Sequence, residues 1–202
     1  MHPEAVRLSA IDEALRAEAD EVLGASGIGD ILAGARFQCV GSYQMRTMVW
    51  RDLDFERYER PDWADHWAVG TGLAQTGWCW RLNCVNVYRE RPDEQGLYWG
   101  IRLSDPCRPD PATDTTTPVW KLDLWTGEQD AFTSGLAKRQ VWLPLLTEEA
   151  RSHVLAIKEA VYQDPEYRRS MLSVHIYEAV LEEGVRGVEE FREWWEAQYR
   201  GQ

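Results

Sequence analysis

Asp52 and Asp54, separated by a single leucine, follow a Gly-Ser pair, Gly41 and Ser42, in the stretch VGSYQMRTMVWRDLDFERY. A hydrophobic core has no use for that arrangement, whereas a phosphate chain with its metal ions does. On a strand, residues i and i+2 project to one face with Cα atoms about 6.5 Å apart. Both carboxylates can then converge on a pair of Mg²⁺ or Mn²⁺ ions, which stand about 3.5–4 Å apart in two-metal sites. Magnesium takes oxygen ligands and draws several of them from substrate phosphates. Gly41 lets the backbone turn and approach a phosphate closely, and Ser42 adds a hydroxyl and an amide donor.

The elements that must position these residues follow from hydrophobic periodicity. Residues 3–23 read as a helix, with Ile11, Leu15, Ala19 and Val22 at helical spacing and Gly24 closing the pattern. A short helix is expected over 28–35. RFQCVGS reads as a strand ending at Gly41, and DLDFERY as the next, with Leu53 and Phe55 on the face opposite the aspartates. The nine residues between Ser42 and Asp52 leave room for a short crossing helix whose N-terminal amides face the phosphates. Asp62 is a candidate N-cap for a helix carrying Trp63, Trp67, Gly70 and Ala74 on one face and stopped at Gly77. WCWRLNCVNVYR, GLYWGIRL and VWKLDLWTG read as strands, and SDPCRPDPATDTTTP as an exposed loop. From Pro144 the pattern turns helical. Ala150, Val154, Ile157 and Val161 make one stripe; a second helix is expected over 166–183 and a third through Val188, Phe191 and Trp195. The chain thus reads as an α/β part over residues 1–143 and a helical part over 144–202.

An apolar residue, Gly-Ser, a spacer of this length and then Asp-apolar-Asp-apolar together resemble the signature of the nucleotidyltransferase superfamily related to DNA polymerase beta. The resemblance implies a mixed sheet flanked by helices, followed by a helical bundle as in the small-molecule nucleotidyltransferases. It also implies a third carboxylate on a later strand. Asp123 in VWKLDLWTG answers to it, and Asp105 beside Pro106 is the weaker candidate. In that reading Asp52, Asp54 and Asp123 hold Mg²⁺ or Mn²⁺, Gly41 and Ser42 position a nucleoside triphosphate such as ATP, and Asp123 directs removal of the acceptor's proton. A nucleoside monophosphate would pass to a hydroxyl of a small molecule or protein. The spacer YQMRTMVWR departs from the Ala-Arg-Gly-like run common in the family, and Arg51 replaces the usual small polar residue before the first aspartate. That departure motivates the alternative of a catalytically inactive protein of the same fold that binds a nucleotide or a protein partner. A plain interaction module with solvated aspartates is the remaining rival.

Composition narrows the partners. With 22 basic against 34 acidic residues the net charge is −12, and no basic block interrupts it, which argues against nucleic acid and anionic membranes. Eleven tryptophans are expected mainly in the core. Cys39, Cys79, Cys84 and Cys107 form no CxxC pair and read as free thiols of a cytoplasmic protein, and the start of the chain lacks an apolar signal core. Arg46 and Arg51 are expected either on phosphate or paired with acidic neighbours. Lys121, Lys138 and Lys158 read as surface lysines, with phosphate contact as the second role, and His66, His153 and His175 as ordinary helix residues. Glu178 is a remote candidate for an acceptor base.

Overall fold

The computed structural model describes residues 3–90 and 96–199. In chain order these form α1 (Pro3–Ala25), α2 (Ile28–Gly34), β1 (Gln38–Val40), α3 (Gly41–Met45), β2 (Asp52–Tyr58), α4 (Trp63–Gln75), β3 (Cys79–Asn86), α5 (Val87–Glu90), β4 (Leu97–Leu103) and β5 (Trp120–Gly127). A 3₁₀ turn at Gln129–Phe132 leads to α6 (Thr133–Leu145), α7 (Glu148–Val161), α8 (Ser173–Leu181) and α9 (Val188–Tyr199). The chain is of mixed α and β structure. It groups into two compact units, one of residues 15–44 and 50–136, the other of residues 3–14, 45–49 and 137–199.

The first unit is built on a five-stranded mixed sheet in the order β1-β2-β5-β4-β3. β2 and β5 run parallel, and every other neighbouring pair is antiparallel. Alternation sorts the two faces of its centre. Leu53 and Phe55 of β2, Leu122 and Leu124 of β5, and Trp99 and Ile101 of β4 lie in register and are buried. Their in-between neighbours, Asp52, Asp54, Lys121, Asp123, Tyr98 and Gly100, therefore share the opposite face.

α4 follows its N-cap as expected: the Asp62 carboxylate accepts from the Asp65 amide, and Gly77 ends the segment at a positive φ of 77°. Its buried stripe is His66, Val69, Gly70 and Leu73, however, so the expected face is shifted around the helix. Trp63 and Trp67 are 42% and 52% exposed. They rim the stripe instead of filling it: Trp67 meets Trp99 edge-on at 5.1 Å, and Trp63 stacks beside Trp67. Trp99, fully buried, packs its ring against Gly70 and fills the space on this face of α4.

The second unit is helical, with α7, α8 and α9 packed on one another. α7 and α9 carry the expected stripes: Val154, Ile157 and Val161 on one and Phe191 and Trp195 on the other are buried, while Ala150 and Val188 at their starts are half-buried. α8 is much shorter than the helix expected over 166–183. Residues 162–172 turn instead: Arg168 takes a left-handed φ of 68°, its amide donates to Met171 O at 2.7 Å, and Tyr167 bridges Met171. A left-handed residue cannot continue an α-helix. α6 begins well before Pro144, which sits in its last turn; proline has no amide to donate back along the helix, and α6 stops one residue later at Leu145. Lys158, expected at the surface, is 1% exposed, and its ammonium donates to Thr47 O at 2.8 Å. Among the described residues no helix is long and apolar enough to cross a membrane.

Candidate metal centre

Asp52, Asp54, Lys121 and Asp123 stand at the corners of a square on the polar face of the sheet. Parallel pairing puts Asp52 opposite Lys121 and Asp54 opposite Asp123, and the period of two puts each strand's pair on the same side. One oxygen from each of the three carboxylates lies within 4.8 Å of the other two. The three predicted ligands are thus brought together, and Asp105 is elsewhere, closing its own loop by accepting from the Cys107 amide.

Around this cluster the chain supplies donors that sequence reasoning missed. Lys121 Nζ donates to Asp52 Oδ1 at 3.0 Å and to Asp123 Oδ2 at 2.5 Å. The Trp50 indole donates to Asp52 Oδ2 at 3.0 Å, and the Tyr98 hydroxyl to Asp123 Oδ1 at 2.8 Å. Tyr98 reaches Asp123 because Gly100 lies directly opposite that aspartate; a Cβ on Gly100 would strike the Tyr98 ring and hydroxyl. The lysine was legible in principle, since it sits two residues before Asp123 and must share its face. Tyr98 and Trp50 depend on strand register and a loop, which local patterns do not contain.

Gly41 ends β1 and opens α3 with a φ of +66°, and a Cβ there would collide with the Asp54 carboxylate. The glycine therefore brings backbone against one of the candidate ligands, and Ser42 follows it, half-buried. α3 is only five residues long, a single turn rather than a crossing helix with a developed dipole. Arg51 pairs with Glu18 at 2.6 Å, the acidic-neighbour alternative, and Arg46 is exposed with a left-handed φ of 56°. In the helical unit Lys138 pairs with Glu178, which also accepts from the Tyr199 hydroxyl.

Electrostatics follow this packing. Burial lowers the affinity of Lys121 for its proton, but the charges of Asp52 and Asp123 outweigh that and raise its pKa. Tyr98 is held protonated, first by burial and then by the Asp123 charge. Cys39 is pushed up to about 12, mainly by burial and further by Asp54, which keeps its thiol protonated at neutral pH, and among the described residues the cluster is made of carboxylates. The donor set is therefore carboxylate oxygen, which suits Mg²⁺ or Mn²⁺ over thiophilic metals. Asp52, Asp54 and Asp123 would each offer one oxygen to such an ion, from positions that lie within 4.8 Å of one another. None of the three carboxylates lines the cleft of about 190 Å³ whose walls include Glu18, Arg51, Ser104 and Trp120.

No family model, curated protein or solved structure matches the chain. The likeness to the nucleotidyltransferase superfamily rests on the motif itself.

Proposed function

We propose that this protein is a metal-dependent nucleotidyltransferase that moves a nucleoside monophosphate from a triphosphate, such as ATP, to a hydroxyl of a small molecule or protein. The observation that carries the reading is the meeting of Asp52, Asp54 and Asp123 on one face, with Gly41 backed against Asp54. The motif and the third aspartate are far apart in sequence, and the parallel pairing of β2 with β5 sets them side by side. Asp52, Asp54 and Asp123 would hold Mg²⁺ or Mn²⁺, which supplies charge neutralisation at the phosphates. The Gly41 backbone and the Ser42 hydroxyl and amide would steady the triphosphate. The acceptor oxygen attacks the α-phosphorus, the bond to the β-phosphate bridging oxygen breaks, and pyrophosphate leaves. Asp123 takes up the hydroxyl proton and passes it to solvent, while Tyr98 fixes the orientation of its carboxylate. Trp50 does the same for Asp52. No covalent enzyme intermediate is needed, so catalysis rests on positioning and electrostatics.

A second reading has its own observation. Lys121 already offers a cation to Asp52 and Asp123, so the cluster can stand as a structural ion network in a protein that binds nucleotide without turnover. Nucleotide labelled at the α-phosphate, incubated with Mg²⁺ and mixed hydroxyl acceptors, separates the two. Label should pass to an acceptor with release of pyrophosphate, and Asp54→Asn should slow this by about 100-fold or more, the loss of a metal contact worth several kcal/mol. Nucleotide binding without pyrophosphate release from any triphosphate would favour the second reading.

A further inference from the structure

Lys121 places its ammonium inside the aspartate square, against Asp52 and Asp123. It arises from the corner opposite Asp52, so its stem must rise from the same face as the carboxylates. Its ammonium then settles 3.0 Å from Asp52 Oδ1, 3.3 Å from Asp52 Oδ2 and 2.5 Å from Asp123 Oδ2. A divalent ion shared by Asp52 and Asp123 would need the same space between the same oxygens. The side chain is 23% exposed, so leaving would break two partly buried ionic contacts. Charge counting agrees: three carboxylates and one ammonium leave two negative charges, which a single divalent ion neutralises.

We propose that Lys121 is a resident cation that takes one of the two cation positions, so that the cluster accepts a single divalent ion where a two-metal centre would accept a pair. This rests on reading the cluster as a metal site. Lys121 is in this sense a positioning residue: it restricts the ion to the side of the square that Asp54 completes, next to Gly41, and itself supplies the second positive charge. The neighbouring tryptophan and tyrosine support the same division. Tyr98 holds Asp123 Oδ1, the oxygen turned away from the ammonium, and Trp50 holds Asp52 Oδ2, which the ammonium also approaches, so both bridged carboxylates are fixed in place.

The test is the number of Mn²⁺ ions bound per chain, measured by calorimetric titration of the full-length protein with Mn²⁺ alone. Surface binding is subtracted using the Asp52→Asn/Asp54→Asn double variant. The wild type should bind one ion, Lys121→Met should gain a second, and Lys121→Arg, which keeps the charge, should stay at one. Lys121→Gln provides a further neutral variant should Lys121→Met fail to give the circular dichroism of the folded protein. Equal numbers in the wild type and the neutral variants overturn the proposal. If that equal number is two, the metal reading stands and only the role of Lys121 falls; if it is zero, the metal reading falls with it.

Discussion

Gly41 and Gly100 show how much at this centre depends on atoms that are missing. Gly41 occupies a left-handed conformation with Asp54 where its Cβ would be, and Gly100 clears the path of Tyr98 to Asp123. Gly41→Ala combines backbone strain with a steric clash, so it should cost about 1–3 kcal/mol of stability. It should also weaken Mn²⁺ binding, because relief of the clash has to move the Asp54 carboxylate. Urea denaturation and calorimetric titration measure the two effects separately. A variant with wild-type stability and wild-type affinity would show that backbone and carboxylate do not meet there. The Gly-Ser pair was readable as a site for close approach from sequence. What approaches it in the fold, a carboxylate of the next strand, was not.

At the scale of elements, α4 and β4 meet through an unusual pair. The buried His66 ring stacks on Trp99 at 4.9 Å, and the Trp99 indole donates to the His66 carbonyl at 3.0 Å. The His66 Nε2 has no hydrogen-bond partner among the described residues, and the Trp63 ring and the Arg57 charge act on the ring as well. Burial lowers its pKa to about 4, and Arg57 adds to the effect. In the unfolded chain the same ring titrates near 6.5. The unfolded state therefore binds more protons between these values, and the stability that neutral His66 contributes, complete above about pH 6.5, is lost as pH falls toward 4. The expected loss is up to about 3 kcal/mol. Denaturation curves at pH 7 and pH 4.5 should show a smaller drop for His66→Phe, which keeps the stacked ring, than for the wild type. Equal drops would mean that His66 is charged, or titrates alike, in both states. A helical histidine was visible in the sequence. The stripe it belongs to was misplaced because periodicity gives a face only to within about a residue, and large aromatics can border a core as well as fill it.

For the whole molecule, charge is the governing fact. A net charge of −12 and an isoelectric point near 4.8 leave no surplus of cations to neutralise a polynucleotide. Arg7, Arg36, Arg51 and Lys138 are paired with carboxylates within the fold, which removes them further from such a role. Fluorescence anisotropy with single- and double-stranded oligonucleotides should therefore show no salt-sensitive binding at physiological ionic strength. Extension of an oligonucleotide, abolished by Asp54→Asn, would keep the proposed chemistry and overturn the acceptor class. An acidic surface is better matched to a neutral or cationic acceptor.

The sequence by itself determined the local order: the strand Asp52–Tyr58 with its alternating faces, the Asp62 cap, the strand around Asp123 and the apolar stripes of α7 and α9. These depend on neighbours within a few residues, through a period of two or 3.6 and through hydrogen bonds to nearby amides. Only the tertiary structure decided which strands adjoin. Strand order β1-β2-β5-β4-β3 sets Asp54 against Asp123 and Asp52 against Lys121, residues about seventy positions apart. It likewise turned two lysines expected at the surface, Lys121 and Lys158, into partly or fully buried cations with fixed partners. Charge on a side chain is written in the sequence, but its worth depends on which opposite charge or carbonyl the fold brings within about 3 Å and how much water it removes.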